Sequence, residues 1–91
     1  KVTHPWLVNV LKAGKYRFTL RQWPKEADKT IAGVKARIKI AGLEEETVIK
    51  DGSKEINFTL TLPSGITELW TYIYNQQGQV GGAYFTEVEK L

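Results

Sequence analysis

Ala13-Gly14-Lys15-Tyr16-Arg17-Phe18-Thr19-Leu20-Arg21-Gln22-Trp23-Pro24 decides the fold. Tyr16, Phe18 and Leu20 fall on one face and Lys15, Arg17, Thr19 and Arg21 on the other, the alternation of a strand with one side in a core and one in water. Gly14 opens the strand as the residue most tolerant of a tight turn. Pro24 ends it, because proline has no N–H to give a ladder.

Upstream, Trp6, Val8 and Val10 alternate with Leu7, Asn9 and Leu11, so a first strand over about 5–11 carries apolar groups on both faces and is expected to be covered on both sides near Leu7. Lys12-Ala13-Gly14 is short enough for a hairpin, which makes the first two strands antiparallel neighbours. Downstream, periodicity is lost from Trp23 to Gly33. Pro24–Asp28 can form one helical turn with Pro24 at its first position, but the segment reads as a structured loop. Val34, Ala36, Ile38 and Ile40 then alternate with Lys35, Arg37 and Lys39 in a third strand whose basic face is wet.

Ala41-Gly42 turns the chain into 43–50. A two-residue loop sets Lys39 opposite Glu44 and Arg37 opposite Glu46, whereas a one-residue bulge sets Arg37 opposite Glu45; either way the basic stripe faces carboxylates. Asp51-Gly52 is the strongest hairpin signal and leads into 55–62, with Ile56, Phe58, Leu60 and Leu62 inward. After Pro63-Ser64-Gly65, residues 67–75 put Leu69, Thr71 and Ile73 on one face and Trp70, Tyr72 and Tyr74 on the other. Neither face is polar. Asn75-Gln76-Gln77-Gly78 closes a last hairpin into 80–89, where Gly81-Gly82 suggests a bulge or close backbone approach. Tyr84 and Val88 are the inward choices there, although Phe85 argues for the opposite phase. About seven short strands with regularly spaced turns predict an all-β fold, an antiparallel two-sheet sandwich with little or no helix.

The 91 residues make one domain, 1–91, with a core small enough that every strand must contribute to it. Without cysteine the chain has no disulfide, thiolate metal site or cysteine nucleophile. The 13 Lys and Arg against 10 Asp and Glu leave a formal charge of +3, a mild excess that compensating carboxylates turn away from nucleic acid. No apolar run approaches a membrane span, Lys1-Val2-Thr3-His4-Pro5 is not a signal peptide, and a chain with no methionine reads as a piece excised from something longer.

His4 is the only histidine, so neither a His/His metal pair nor a Ser–His–Asp triad can be assembled. Glu44, Glu45 and Glu46 alternate between faces of a hairpin arm and do not suggest a sequestered acid/base pair. Asn57-Phe58-Thr59 matches a glycosylation sequon, but mid-strand, and reads as accidental. The aromatic set carries more. Trp70, Tyr72 and Tyr74 lie either under the 23–33 loop, under another domain, or exposed as a platform for sugar rings. Arg21 beside Trp23 suits a carboxylate or sulfate partner through its planar fork of donors, and equally an ordinary salt bridge.

Trp6, then Ala13-Gly14-x-Tyr16-x-Phe18-x-Leu20-Arg21-x-Trp23-Pro24-Lys25-Glu26-Ala27, then Leu62-Pro63-x-Gly65-x-Thr67-x-Leu69-x-Thr71, and finally Gly82-Ala83-Tyr84-Phe85, together resemble the C-terminal domain of a group of bacterial arylsulfatases. The resemblance implies a non-catalytic accessory domain. In that family the chemistry belongs to a large N-terminal α/β domain, where a Cys or Ser in a Cys/Ser-x-Pro-x-Arg motif becomes formylglycine beside a divalent cation, usually calcium; no such motif occurs here. The resemblance further implies an exported, periplasmic parent that desulfates glycans or aryl sulfates, and no cofactor or catalytic residue in this domain. Arg21, Trp23, Trp70, Tyr72 and Tyr74 are then candidates for an interdomain or ligand surface. The partners expected are the parent's catalytic domain and a sulfated glycan. The alternative is an independent carbohydrate-binding sandwich that uses Trp23 or Trp70, Tyr72 and Tyr74 for stacking.

Overall fold

A computed structural model describes residues 5–81 and 85–91, and in it the chain is a sandwich of two antiparallel sheets. The strands are β1 (Trp6–Val10), β2 (Gly14–Arg21), β3 (Lys35–Ile40), β4 (Leu43–Val48), β5 (Ile56–Leu62), β6 (Gly65–Tyr74), β7 (Val80–Gly81) and β8 (Phe85–Lys90). The larger sheet runs β1-β6-β3-β4, with β7 also on β6, and the smaller runs β5-β2-β8. A 3₁₀ turn, Lys25–Ala27, is the only helical piece among the described residues; Pro24 precedes it instead of taking its first position, and the Pro24 carbonyl accepts from the Ala27 N–H at 2.9 Å.

Strand alternation builds the core as expected. Phe18 and Leu20 of β2 and Ile56, Phe58, Leu60 and Leu62 of β5 form the inner face of the smaller sheet. Against them lie Val10, Ala36, Ile38, Ile40, Leu69 and Ile73 of the larger sheet, in one continuous cluster. Phe18, Leu20 and Ile38 are fully buried, so β2 is at the centre of its sheet in packing as in pairing.

Connectivity departs from the sequence reading. β1 and β2 are not neighbours: β1 pairs with β6, and β2 has both edges taken by β5 and β8. The three residues between them therefore arch from one sheet to the other. Asp51-Gly52 likewise makes a tight turn, closed by Ser53 N–H to the Lys50 carbonyl at 3.1 Å, without making a hairpin, since β4 and β5 belong to different sheets. The reason is the packing around it. The Ile49 N–H donates to the Val34 carbonyl at 2.9 Å and the Ile31 N–H to the Ser53 carbonyl at 2.7 Å, so Ile31 and Ile49 bury themselves in the core and redirect the chain. The last predicted strand divides into β7, on β6, and β8, on β2. Leu7 faces outward and is 77% exposed, not covered. Val88 lies on the inner row beside Phe18, although half exposed, and Phe85 on the outer row beside Arg21; His4, Gly82 and Tyr84 lie outside the described residues.

True hairpins form at Ala41-Gly42 and at 75–79. Ala41 at φ 51° and Gly42 at φ 78° both take positive φ, the requirement of a two-residue turn that matches strand twist. The register that follows is Lys39 opposite Glu44 and Arg37 opposite Glu46, as the two-residue loop predicts.

Candidate functional site: an aromatic ladder on the larger sheet

The register of β6 against β3 sets Tyr74 beside Lys35, Tyr72 beside Arg37 and Trp70 beside Lys39, all on the outward face because Ile73, Thr71 and Leu69 take the inward one. Neighbouring rings sit 6.3 Å apart, the Trp70 and Tyr72 planes within 4° and the Tyr72 and Tyr74 planes within 21°. They are half-buried. What shields them is the basic stripe of β3. Arg37 lies 5.0 Å over the Tyr72 ring and the Lys35 ammonium 5.0 Å over Tyr74, the geometry of cation–π contact.

Those cations are held in turn by β4. Arg37 reaches Glu44 at 2.8 Å and Glu46 at 4.0 Å, and Lys35 reaches Glu46 at 3.7 Å. Arg37–Glu46 follows the Cα register, whereas the closer Arg37–Glu44 pair and Lys35–Glu46 run diagonally to it, so Glu44 serves Arg37 and leaves Lys39 outside every ion pair of the described residues. Among the described residues the ladder thus ends at Trp70 with Lys39 outside any ion pair and no cation over the indole. Leu7 and Ile66, 77% and 70% exposed, add apolar surface on the same face around the exposed Glu68 carboxylate, which stands opposite Leu7 and between Trp70 and Ile66 on β6, and Val80 adjoins Tyr74.

Arg21 and Trp23 are elsewhere. Arg21 is on the outward face of the smaller sheet, separated from the ladder by the whole core. It is 9% exposed. One terminal nitrogen donates to Glu55 at 2.6 Å and the other pairs with Glu87, so the planar fork that could take a sulfate is engaged by the chain's own carboxylates. The Asn57 amide donates to the other Glu55 oxygen at 3.3 Å and accepts from the Thr19 hydroxyl at 2.6 Å, which ties the sequon asparagine into the same network. Hydrogen bonds from Asn57 and then Arg21 hold the Glu55 carboxyl below its ordinary pKa. Trp23 is 42% exposed with the Lys29 ammonium 4.4 Å over its ring, and the segment from Trp23 to Lys29 lines a cleft beside Arg21 and Glu55. The loop therefore lies on the Arg21 side and does not cover the ladder.

Sequence reasoning missed Trp6 and Phe85, which line a second cleft of about 500 Å³ against Arg21 and Pro24. Treating β1 and β2 as neighbours hid that juxtaposition. The opposition of Phe85 to Arg21 follows only from the β2–β8 register. Among the described residues no three of His, Cys, Asp and Glu converge to hold a metal ion. Family models, curated proteins and solved structures contain nothing that matches this chain.

Proposed function

We propose that the chain is a non-catalytic accessory sandwich of a larger bacterial arylsulfatase, docked through the outward face of its larger sheet on the catalytic α/β domain of the same polypeptide and bordering the substrate cleft. The observation that supports this reading is the strip of Trp70, Tyr72 and Tyr74, flanked on the same sheet face by exposed Val80 and, around Glu68, by exposed Leu7 and Ile66. Apolar surface of this kind gains about 25 cal/mol per Å² on leaving water, and a contiguous patch on a small domain usually marks an interaction site. The identity of the parent rests on the resemblance of the Arg21–Ala27 and Leu62–Thr71 segments. In this account the parent is periplasmic and carries the formylglycine and calcium that do the chemistry, while the present domain contributes surface.

The test is the native polypeptide itself, captured from the source cells with peptide-directed antibodies and weighed intact. A chain several times longer than 91 residues, yielding a formylglycine peptide, is the expected result. A native product of about 91 residues would overturn the reading.

A second reading, an independent carbohydrate-binding module, is favoured by one feature: the 4° between the Trp70 and Tyr72 planes, which makes a flat platform beside Lys39. Tryptophan fluorescence of the 91-residue chain, titrated with sulfated and neutral oligosaccharides, separates the two. Saturable change that disappears in Trp70→Ala supports the module, and flat titrations support docking.

A further inference from the structure

The sandwich leaves several strand edges open, and they are guarded unequally. β4 carries Glu44, Glu45 and Glu46 in succession, with Glu45 opposite Ile38 on the inward row, and β8 carries Lys90 opposite Tyr16 on the inward row. A charge pointing inward at an edge opposes the approach of another strand. β1 has five residues, two fewer than β5, and β7 only two. β5 has none of these devices. Its seven residues, Ile56-Asn57-Phe58-Thr59-Leu60-Thr61-Leu62, contain no charge and no proline, and they run against β2 in unbroken register from Leu62↔Gly14 to Ile56↔Leu20, without a bulge. Asn57, Thr59 and Thr61 are exposed, and β2 is the only strand β5 pairs with among the described residues.

We propose that the β5 edge is a self-pairing surface, taken by β5 of a second copy of this chain in an antiparallel two-fold arrangement centred on Thr59. The sequence of β5 is complementary to itself about that residue. Pairing Thr59 with Thr59 sets Phe58 opposite Leu60, Ile56 opposite Leu62 and Asn57 opposite Thr61, so the apolar row meets an apolar row and the polar row meets hydrogen-bonding partners. No like charges face one another. Had β4 been used in the same way, its three glutamates would lie against their own copies. The product is a continuous six-stranded sheet made of two three-stranded ones. An edge pair alone buries little area, which puts the dimer among weak, concentration-dependent associations. The inference is independent of the docking surface, which lies on the other sheet.

Because the chain has no cysteine, a single one can report the contact. In a two-fold pair centred on Thr59 the two Cβ atoms of that residue are about 4.5–5.5 Å apart. Thr59→Cys under mild oxidation should give a disulfide-linked dimer several-fold faster than Thr47→Cys, an exposed position on β4. Sedimentation velocity should show a dimer population that rises with concentration in the native chain and vanishes in Thr59→Lys, with unchanged circular dichroism showing that the fold survives. Equal crosslinking at the two positions would overturn the proposal, as would a mass that stays monomeric at every concentration. A dimer that persists in Thr59→Lys but is lost in Trp70→Ser would also overturn it, by moving self-association to the ladder.

Discussion

On the outward face of the smaller sheet, Arg17 pairs with Glu89, Arg21 with Glu55 and Glu87, and Thr19 with Asn57; on the outward face of the larger sheet, three aromatic rings stand in a row with a cation over two of them. Both faces border water and both follow the same period-two rule. On the first the charged and amide groups satisfy one another, with Phe85 exposed at the end of the row, while the second presents apolar area that its own chain covers with Lys and Arg stems. A face of rings under ion pairs, with Leu7 and Ile66 bare beside it, is the one that gains from another surface.

The largest expected effect is at the buried end of the polar network. Arg21→Met should lower stability by about 2 kcal/mol in urea unfolding, less than for a fully buried pair because Glu55 and Glu87 can return to water. Lys35→Met on the ladder face should cost no more than about 0.5 kcal/mol, the range of exposed ion pairs. Equal losses would break the contrast between the faces. Next comes Gly33, where an added Cβ would meet Ile73 Cγ2 at 2.6 Å and the Tyr74 carbonyl oxygen at 3.2 Å. Gly33→Ala should therefore cost about 1–2 kcal/mol by overpacking the end of β6 beneath the ladder.

A smaller effect is expected with pH. Glu55 has a folded-state pKa below its unfolded value, so in acid the unfolded chain binds the extra proton. Its contribution is fully present above the ordinary carboxylate pKa and is lost as pH falls through the folded value. Acid titration of stability should be shallower in Asn57→Ala, which removes one of the hydrogen bonds that lower the Glu55 pKa, and unchanged in Tyr72→Phe on the other face. Smallest of all, Lys39→Met should alter stability by less than about 0.5 kcal/mol, because Lys39 is exposed and outside every ion pair of the described residues.

Much of this architecture is legible in the sequence where one residue's neighbours suffice. The inward row Phe18 and Leu20, the inward row Ile56 to Leu62, the two faces of β6 and the Lys39–Glu44 register all follow from alternation and a two-residue turn. What alternation cannot tell is which sheet a strand joins. Gly14 and Asp51-Gly52 announce turns, and turns serve arches as well as hairpins; the outcome depended on Ile31 and Ile49 entering the core and on β8 claiming the second edge of β2. The ladder was visible as a residue set, but its shielding by Arg37 and Lys35 came from the neighbouring strand. Arg21 shows the converse, a candidate anion site whose partners, Glu55 and Glu87, are 34 and 66 positions away in the chain and come together only through the register of β5 and β8.

Shielding of Trp70 from a small solute tests the central claim most directly. In chains that keep Trp70 as the only tryptophan of this domain, with Trp6 and Trp23 changed to Phe, acrylamide quenching is compared between the 91-residue chain and the native longer polypeptide, the latter's other tryptophans subtracted with a Trp70→Phe control. The docked account predicts ready quenching in the 91-residue chain and strong protection in the longer one. Equal quenching in both would contradict it, leaving the outward face of the larger sheet uncovered where its partner should be.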